Sequence, residues 1–399
     1  MIMPDSIALY IHVPFCETKC PYCDFNTYSG IDGLIPGYVA ALKAELHQWG
    51  KLLARPTVTS IFFGGGTPSY LPTDDLGGLM DCVRDSFDVQ PEAEITLEAN
   101  PGDVTPDRLR SYLESGLNRL SIGVQSFDDE LLKVLGRRHT ASEAMRAYHA
   151  AFEAGFTNVS IDLMYGLPYQ DLSTWRATLQ TAVELAPPHI SMYCLTLEGG
   201  TPMEQAVSLG QTPEPDADLA ADMYIAAQDT MREQGYRHYE ISNWSKNGLE
   251  SLHNLAYWRN QPYLGVGPGA HSYLPPYRFS CLKSPRRYID LLSGPAAKRH
   301  AAVEDGDLLA RIRSTPTIEA VETIDRELEM AETMMMGLRL DDGIGVTDFT
   351  QRFGKPPVDA YADTIAELES LGLLTAGVDS LRLTHRGRML GNEVFSRFF

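Results

Sequence analysis

Apolar residues recur along this chain in two alternating rhythms. Short runs rich in β-branched and aromatic residues, at 7–13 (IALYIHV), 58–63, 95–98, 120–125, 159–164 and 190–195, predict strands. Between them, apolar positions fall at helical spacing over 38–49, 73–87, 106–113, 128–135, 142–152 and 173–185. Several of these stretches open on Ser, Thr, Asp or Pro, as helix starts do. Strands alternating with helices imply parallel βαβ units. Six such units suit an α/β fold with an open or partial (β/α)6 barrel better than a short doubly wound sheet.

The rhythm changes after about residue 200. QTPEPDAD at 211–218 predicts an acidic, Pro-rich connector, followed by a helix over 219–234. Residues 236–277 form an aromatic, His-bearing stretch with a glycine-rich turn, LGVGPGA, at 264–270. Helical spacing returns over 318–338 and 359–371, and then a small hairpin pairs 373–374 with 381–383. Helix, helix and hairpin predict a smaller winged-helix-like unit. The expected organisation is therefore 1–235 as the barrel, 236–317 as a connecting segment and 318–399 as the C-terminal unit. Charges in that last unit are mixed, so it is expected to pack or to meet a protein partner rather than DNA.

The residues at the strand ends carry the candidate chemistry. The first strand runs into three cysteines, the second into Gly64-Gly65-Gly66-Thr67-Pro68. The third ends at Glu98, the fourth at Gln125, and the fifth carries Asp162 before Gly166-Leu167-Pro168. In a barrel these positions converge on the C-terminal face, where active sites are built. Any one of the polar residues alone reads equally well as a strand end or a helix cap. Following successive strands, they point to one shared site.

Composition narrows the class. With 44% hydrophobic and 22% charged residues the chain is globular rather than disordered. Its 399 residues suggest two or three domains. No apolar run approaches the roughly 20 residues of a membrane span. The start, MIMPDSIALYIHV, lacks a basic, apolar signal pattern, so a cytoplasmic location is expected. With 33 basic and 53 acidic residues the net charge is −20, which argues against an extended nucleic-acid face but leaves room for a local basic pocket.

Cysteine usage is the most informative feature. Cys82, Cys194 and Cys281 stand alone and are expected as small buried hydrophobes. Cys16, Cys20 and Cys23 fall on one short loop, at spacings that wrap a single metal centre. Thiolates are the standard ligands of iron–sulfur clusters. A structural zinc site normally closes with four ligands, and no second CxxC occurs here. Three thiolates on a cubane leave one iron open, the mark of a reactive site.

CxxxCxxC with Tyr22 before the last cysteine resembles the signature of the radical S-adenosylmethionine (SAM) superfamily. YIHVPFCETKCPYCDF, GGGTPS, LEANP, SIGVQSFDD, LGRRH and IDLMYGLP together resemble the family of oxygen-independent coproporphyrinogen III oxidase, over residues 7 to about 275. Within it, His253-Asn254-Leu255-Ala256-Tyr257-Trp258 matches the HNxxYW motif of the HemW-type heme chaperone group. The resemblance implies a partial TIM-like radical SAM barrel. It implies a [4Fe–4S] cluster on Cys16, Cys20 and Cys23, with SAM on the fourth iron. Tyr10, Tyr22, Gly65, Gly66, Thr67, Glu98, Gln125, Arg137 and Asp162 match SAM-site positions, and Arg138 is the neighbouring alternative to Arg137.

Two departures separate this chain from the oxidase pattern. Phe25 stands where the oxidases carry a further cysteine, and little sequence precedes Cys16. The resemblance therefore implies heme as cargo, delivered to respiratory heme proteins with at most peripheral membrane contact, and no nucleic-acid partner. His253 is the expected iron ligand, with Tyr257 and Trp258 offering aromatic faces to the porphyrin; His271 is a rival ligand, and Arg259 or Arg278 would meet propionates. The alternative is a radical SAM enzyme acting on a tetrapyrrole, or a class C-type methyltransferase.

Overall fold

The computed structural model describes residues 5–293 and 306–399. Six parallel strands form its centre in chain order: β1 (Ser6–Val13), β2 (Thr57–Gly65), β3 (Asp88–Ala99), β4 (Arg119–Gln125), β5 (Asn158–Tyr165) and β6 (His189–Cys194). The connections are helical, at Ile35–Leu52, Thr73–Ser86, Pro106–Glu114, Asp129–Val134 with Ala141–Ala154, and Leu172–Leu185. The fold is thus α/β with a parallel core. The strands are buried beneath these helices, which is why they read as near-continuous apolar runs.

Local chemistry sets the helix starts. Thr105 accepts from the Arg108 N–H with Pro106 at the first helical position. Thr140 and Glu143 form a reciprocal capping box, and Gly155 closes the same helix at φ 113°, a left-handed conformation that favours glycine. The Asp171 carboxylate accepts from the Thr174 N–H at 2.7 Å.

The segment expected as a connector instead supplies both flanks of the sheet. β7 (Arg237–Glu240) and β8 (Asn243–Ser245) add antiparallel strands beyond β6. β9 (Tyr263–Val266) pairs parallel to β1, and β10 (His271–Leu274) and β11 (Tyr277–Cys281) follow antiparallel. The helix expected over 318–338 is a second correction. Its first part is β12 (Ile318–Thr323), paired antiparallel with β11, and the helix begins only at Arg326 behind an Asp325 cap. The sheet therefore holds twelve strands, with β12 and β7 at its two ends. Beyond it, a second apolar core gathers Met334, Phe349, Phe353, Ile365, Leu374 and Leu381 around a three-stranded sheet and helices.

Two buried carboxylates pin these flanks to the barrel. Glu45, on the first helix, accepts from the Gly267 N–H at 2.8 Å, the Tyr288 hydroxyl at 2.6 Å and the Thr317 hydroxyl at 2.7 Å. Burial pushes its pKa up. Glu94, on β3, accepts from the N–H groups of Leu252 and His253, both at 3.0 Å, at the start of the helix Leu252–Trp258. It also accepts from the Ser251 hydroxyl at 3.4 Å, and the buried guanidinium of Arg119 lies 3.8 Å away.

Truncating Glu45 strands three buried donors, each worth about 1–3 kcal/mol when left unpaired. Glu45→Ala should lower the unfolding free energy by about 3 kcal/mol or more, seen as a shifted midpoint in chemical denaturation.

Candidate functional site

The carboxyl ends of β1 to β6 surround a cavity of about 550 Å³. The cysteine loop forms one wall. It is tied down by its own backbone: the Cys16 N–H donates to the Tyr28 carbonyl at 3.0 Å, and Tyr28 N–H to that of Pro14 at 2.8 Å. Cys16 Sγ lies 2.8 Å from Thr27 Oγ1 and receives the Thr67 hydroxyl at 3.3 Å. Cys20 Sγ receives Arg137 Nη1 at 3.6 Å. Burial, against an opposing backbone hydrogen bond and Lys19, pushes the Cys23 thiol up to about 11; Cys16 and Cys20 add to the rise. Metal-free, that thiol is held protonated, and a metal cation is the partner that would deprotonate it. Among the described residues no three His, Cys, Asp or Glu side chains converge on one ion. A cubane takes each of its three cysteines on a different iron, so the thiols need not meet on one ion.

The glycine turn after β2 forms the facing wall. Gly65 has φ +107°, and a Cβ there would sit 2.5 Å from the His12 ring. At Gly66 a Cβ would meet the Phe15 carbonyl at 2.6 Å. Only glycine allows this approach. The Gly65 N–H donates to Glu98 at 3.2 Å. Burial, reinforced by Asp162, raises the Glu98 pKa to about 8. Asp162 is also raised by burial while accepting from Ser121 at 2.9 Å and Ser160 at 3.2 Å.

Gln125 closes β4 at φ 68°, where the β4–β5 register also shifts. A non-glycine residue held there stores backbone strain, as functional sites often do. Arg137 donates to the Gly123 carbonyl at 2.7 Å, and its Nε is buried without a partner among the described residues. Arg138 reaches the same rim, but its guanidinium is paired with Glu17 and, at 2.6 Å, with Asp103. Tyr22, Gly65, Gly66, Thr67, Glu98, Gln125, Arg137 and Asp162 all line the cavity with the three cysteines.

Tyr10 does not. Its hydroxyl meets His12 Nδ1 at 3.0 Å, and it lines a second cavity of about 520 Å³ beside the first. Along β1, Tyr10 lies before the strand end, under Phe62, and next to Glu98, which lines both cavities. The second cavity is walled by Tyr257, Trp258, Tyr263, Tyr273, His271 and Met336, and shares Phe25, Gly65 and Glu98 with the first. Phe25 is 63% exposed there.

His253 is a further correction. It is 0% exposed, with Ser60 Oγ 2.9 Å from Nδ1 and the Tyr257 hydroxyl 2.9 Å from Nε2. Its ring stacks on Phe62, and burial lowers its pKa to about 3. Both nitrogens are committed, so this residue orders the helix rather than offering a metal bond. Arg278 is likewise committed, through two bonds to Glu332 at 2.7 and 2.6 Å, and Arg259 lines neither cavity. Cys82 and Cys281 are buried as expected, but Cys194 is exposed on the first cavity.

Several wall residues were given no role in the sequence reading: Thr27, Ser191 and Tyr193, and Ser121 and Asn254 within the quoted motifs. The serines had a signal, since polar residues facing inward on strands otherwise apolar mark a wetted face.

A model of the radical SAM superfamily matches residues 10–182, and one of the HemN C-terminal domain matches residues 324–390. The heme chaperone HemW of Bacillus subtilis is 36% identical over 395 residues, covering 98% of both chains. The chain belongs to the HemW family of radical SAM proteins. The mitochondrial radical S-adenosyl methionine domain-containing protein 1 of Mus musculus is 43% identical, covering 95% of this chain and 84% of that one. The coproporphyrinogen III oxidase HemN of Escherichia coli superposes with a TM-score of 0.82 over 99% of this chain and 90% of that one, at 22% identity. That likeness shows that this HemW-family chain shares the oxidase fold.

Two outcomes are expected at the first cavity. The Glu98 carboxyl titrates near about 8 when folded and at 4.5 in its ordinary state, so between those values the folded chain binds the extra proton and loses stability as pH rises. Glu98→Gln should flatten that decline in metal-free protein, measured as unfolding temperature against pH. Gln125→Gly should raise unfolding free energy by about 1 kcal/mol, measured by chemical denaturation, because glycine adopts the positive φ freely.

Proposed function

We propose that this chain is a heme chaperone: it binds heme and delivers it to respiratory heme proteins, and it retains a [4Fe–4S] cluster and a SAM site. The observation that carries the proposal is identity along nearly the whole length with proteins named heme chaperone HemW. In this reading Cys16, Cys20 and Cys23 hold the cluster. The geometry fits: a wall of three thiols, a glycine cradle that any Cβ would fill, and a buried guanidinium nitrogen without a partner among the described residues face one space.

The chain's own residues divide the work on SAM. Gly65 and Gly66 let backbone lie against the ligand's amino acid end, with Thr67 beside them. Arg137 offers a fork to its carboxylate. Glu98 takes the ribose hydroxyls, Tyr22, Gln125 and Asp162 complete the walls, and Glu98 holds a proton near neutral pH until a ligand displaces it. Bound together, cluster and SAM supply one-electron radical chemistry, which the protein orients. Heme belongs in the aromatic cavity next door, which takes in Tyr257 and Trp258 of the HNxxYW segment. No helix among the described residues is long and apolar enough to cross a membrane, so contact with membrane-bound recipients is proposed as peripheral, from the cytoplasm.

The intact first cavity, with its strained Gln125 and paired Glu98 and Asp162, keeps a second reading in play: a radical SAM enzyme acting on a tetrapyrrole. One set of experiments separates the two. Protein reconstituted anaerobically should bind heme in titration and should leave coproporphyrinogen III unchanged in the presence of SAM and reductant. Conversion to protoporphyrinogen IX would overturn the chaperone-only reading. Replacing Cys16, Cys20 and Cys23 together by Ala should abolish bound iron, and unchanged iron content would remove the cluster.

A further inference from the structure

We propose that His271, not His253, is the protein ligand to heme iron, with the porphyrin held in the cavity walled by Tyr257, Trp258, Tyr263 and Phe25. This inference rests on the heme-chaperone reading and assigns its cargo a place. Three histidines lie in or beside that cavity. His253 is sealed, as described. His12 is buried, with Nδ1 on the Tyr10 hydroxyl at 3.0 Å and Nε2 on the Asn26 carbonyl at 2.9 Å. His271 alone is exposed, and neither of its ring nitrogens has a hydrogen-bond partner among the described residues.

Its position is firm although its ring is free. His271 opens β10, opposite Ser280 of β11. The turn before it is held through Gly267 by Glu45, and the Asn26 side chain ties the Pro268 carbonyl to the cysteine loop at 2.8 Å. Partial burial, with Lys283 and Arg278 nearby, lowers its pKa, a shift toward the neutral form that binds metal. The cavity, at about 520 Å³, falls within the usual span for cofactor sites, and its walls offer flat aromatic faces to a macrocycle. Trp258 buries an indole N–H that has no acceptor among the described residues, so a polar group entering there gains a bond.

Heme titration of the full chain, read by absorption and electron paramagnetic resonance, tests this. His271→Ala should weaken heme binding by at least about tenfold and abolish the histidine-ligated spectrum, because even outer-shell changes around a metal cost about 10–100-fold. Added imidazole should restore that spectrum. His271→Met should bind heme with a shifted spectrum, which a merely structural role would not produce. His253→Ala should lower the unfolding temperature while keeping the wild-type heme spectrum in the folded fraction. A wild-type spectrum and affinity in His271→Ala would overturn the assignment while leaving the chaperone reading standing. A wild-type chain that binds no heme would overturn both.

Discussion

The top of the sheet depends on how closely two stretches of backbone approach each other. The Gly66 N–H donates to the Val13 carbonyl at 2.7 Å, and the Thr67 N–H to that of Phe15 at 2.8 Å. This pair of bonds continues the β1–β2 ladder past the strand ends and carries the cysteine loop with it. Thr67 then reaches Cys16, and Gly65 reaches Glu98. No side chain fits at Gly66, so the three thiols are positioned by backbone rather than by packing that a neighbouring substitution can loosen. The same strand, β1, pairs on its other side with β9, and Tyr38 donates to the His12 carbonyl at 2.6 Å. One strand thus frames both cavities.

Much of the centre was legible in the sequence, because strands covered by helices must be apolar along their length and helices between them must show their caps. The flanks were not. β12 has no buried position, and its half-exposed Ile318 and Val321 fall three apart, as on a helix face. Only pairing with β11 makes it a strand, and that partner is invisible to local pattern. Strands β7 to β11 are three to five residues long, too short for periodicity to register.

The site divides along the same line. Cys16, Cys20, Cys23, the glycine turn, Glu98 and Gln125 end or follow a strand and Asp162 lies within one, and topology brings them to one cavity. His253 misled because a histidine's letter is silent about burial. What decides it is Glu94, 159 positions away, which anchors the helix start, and Ser60 and Tyr257, which take the ring nitrogens. Buried polar atoms must be satisfied, and the partners come from anywhere in the chain.

Glu98, Gly65 and Phe25 face both cavities at once. A guest that ionises or neutralises the Glu98 carboxyl from one side changes the charge presented to the other, and a guest that orders Phe25 does so for both chambers. Any two guests that each changed this shared wall would alter one another's affinity by equal factors, since such linkage is reciprocal.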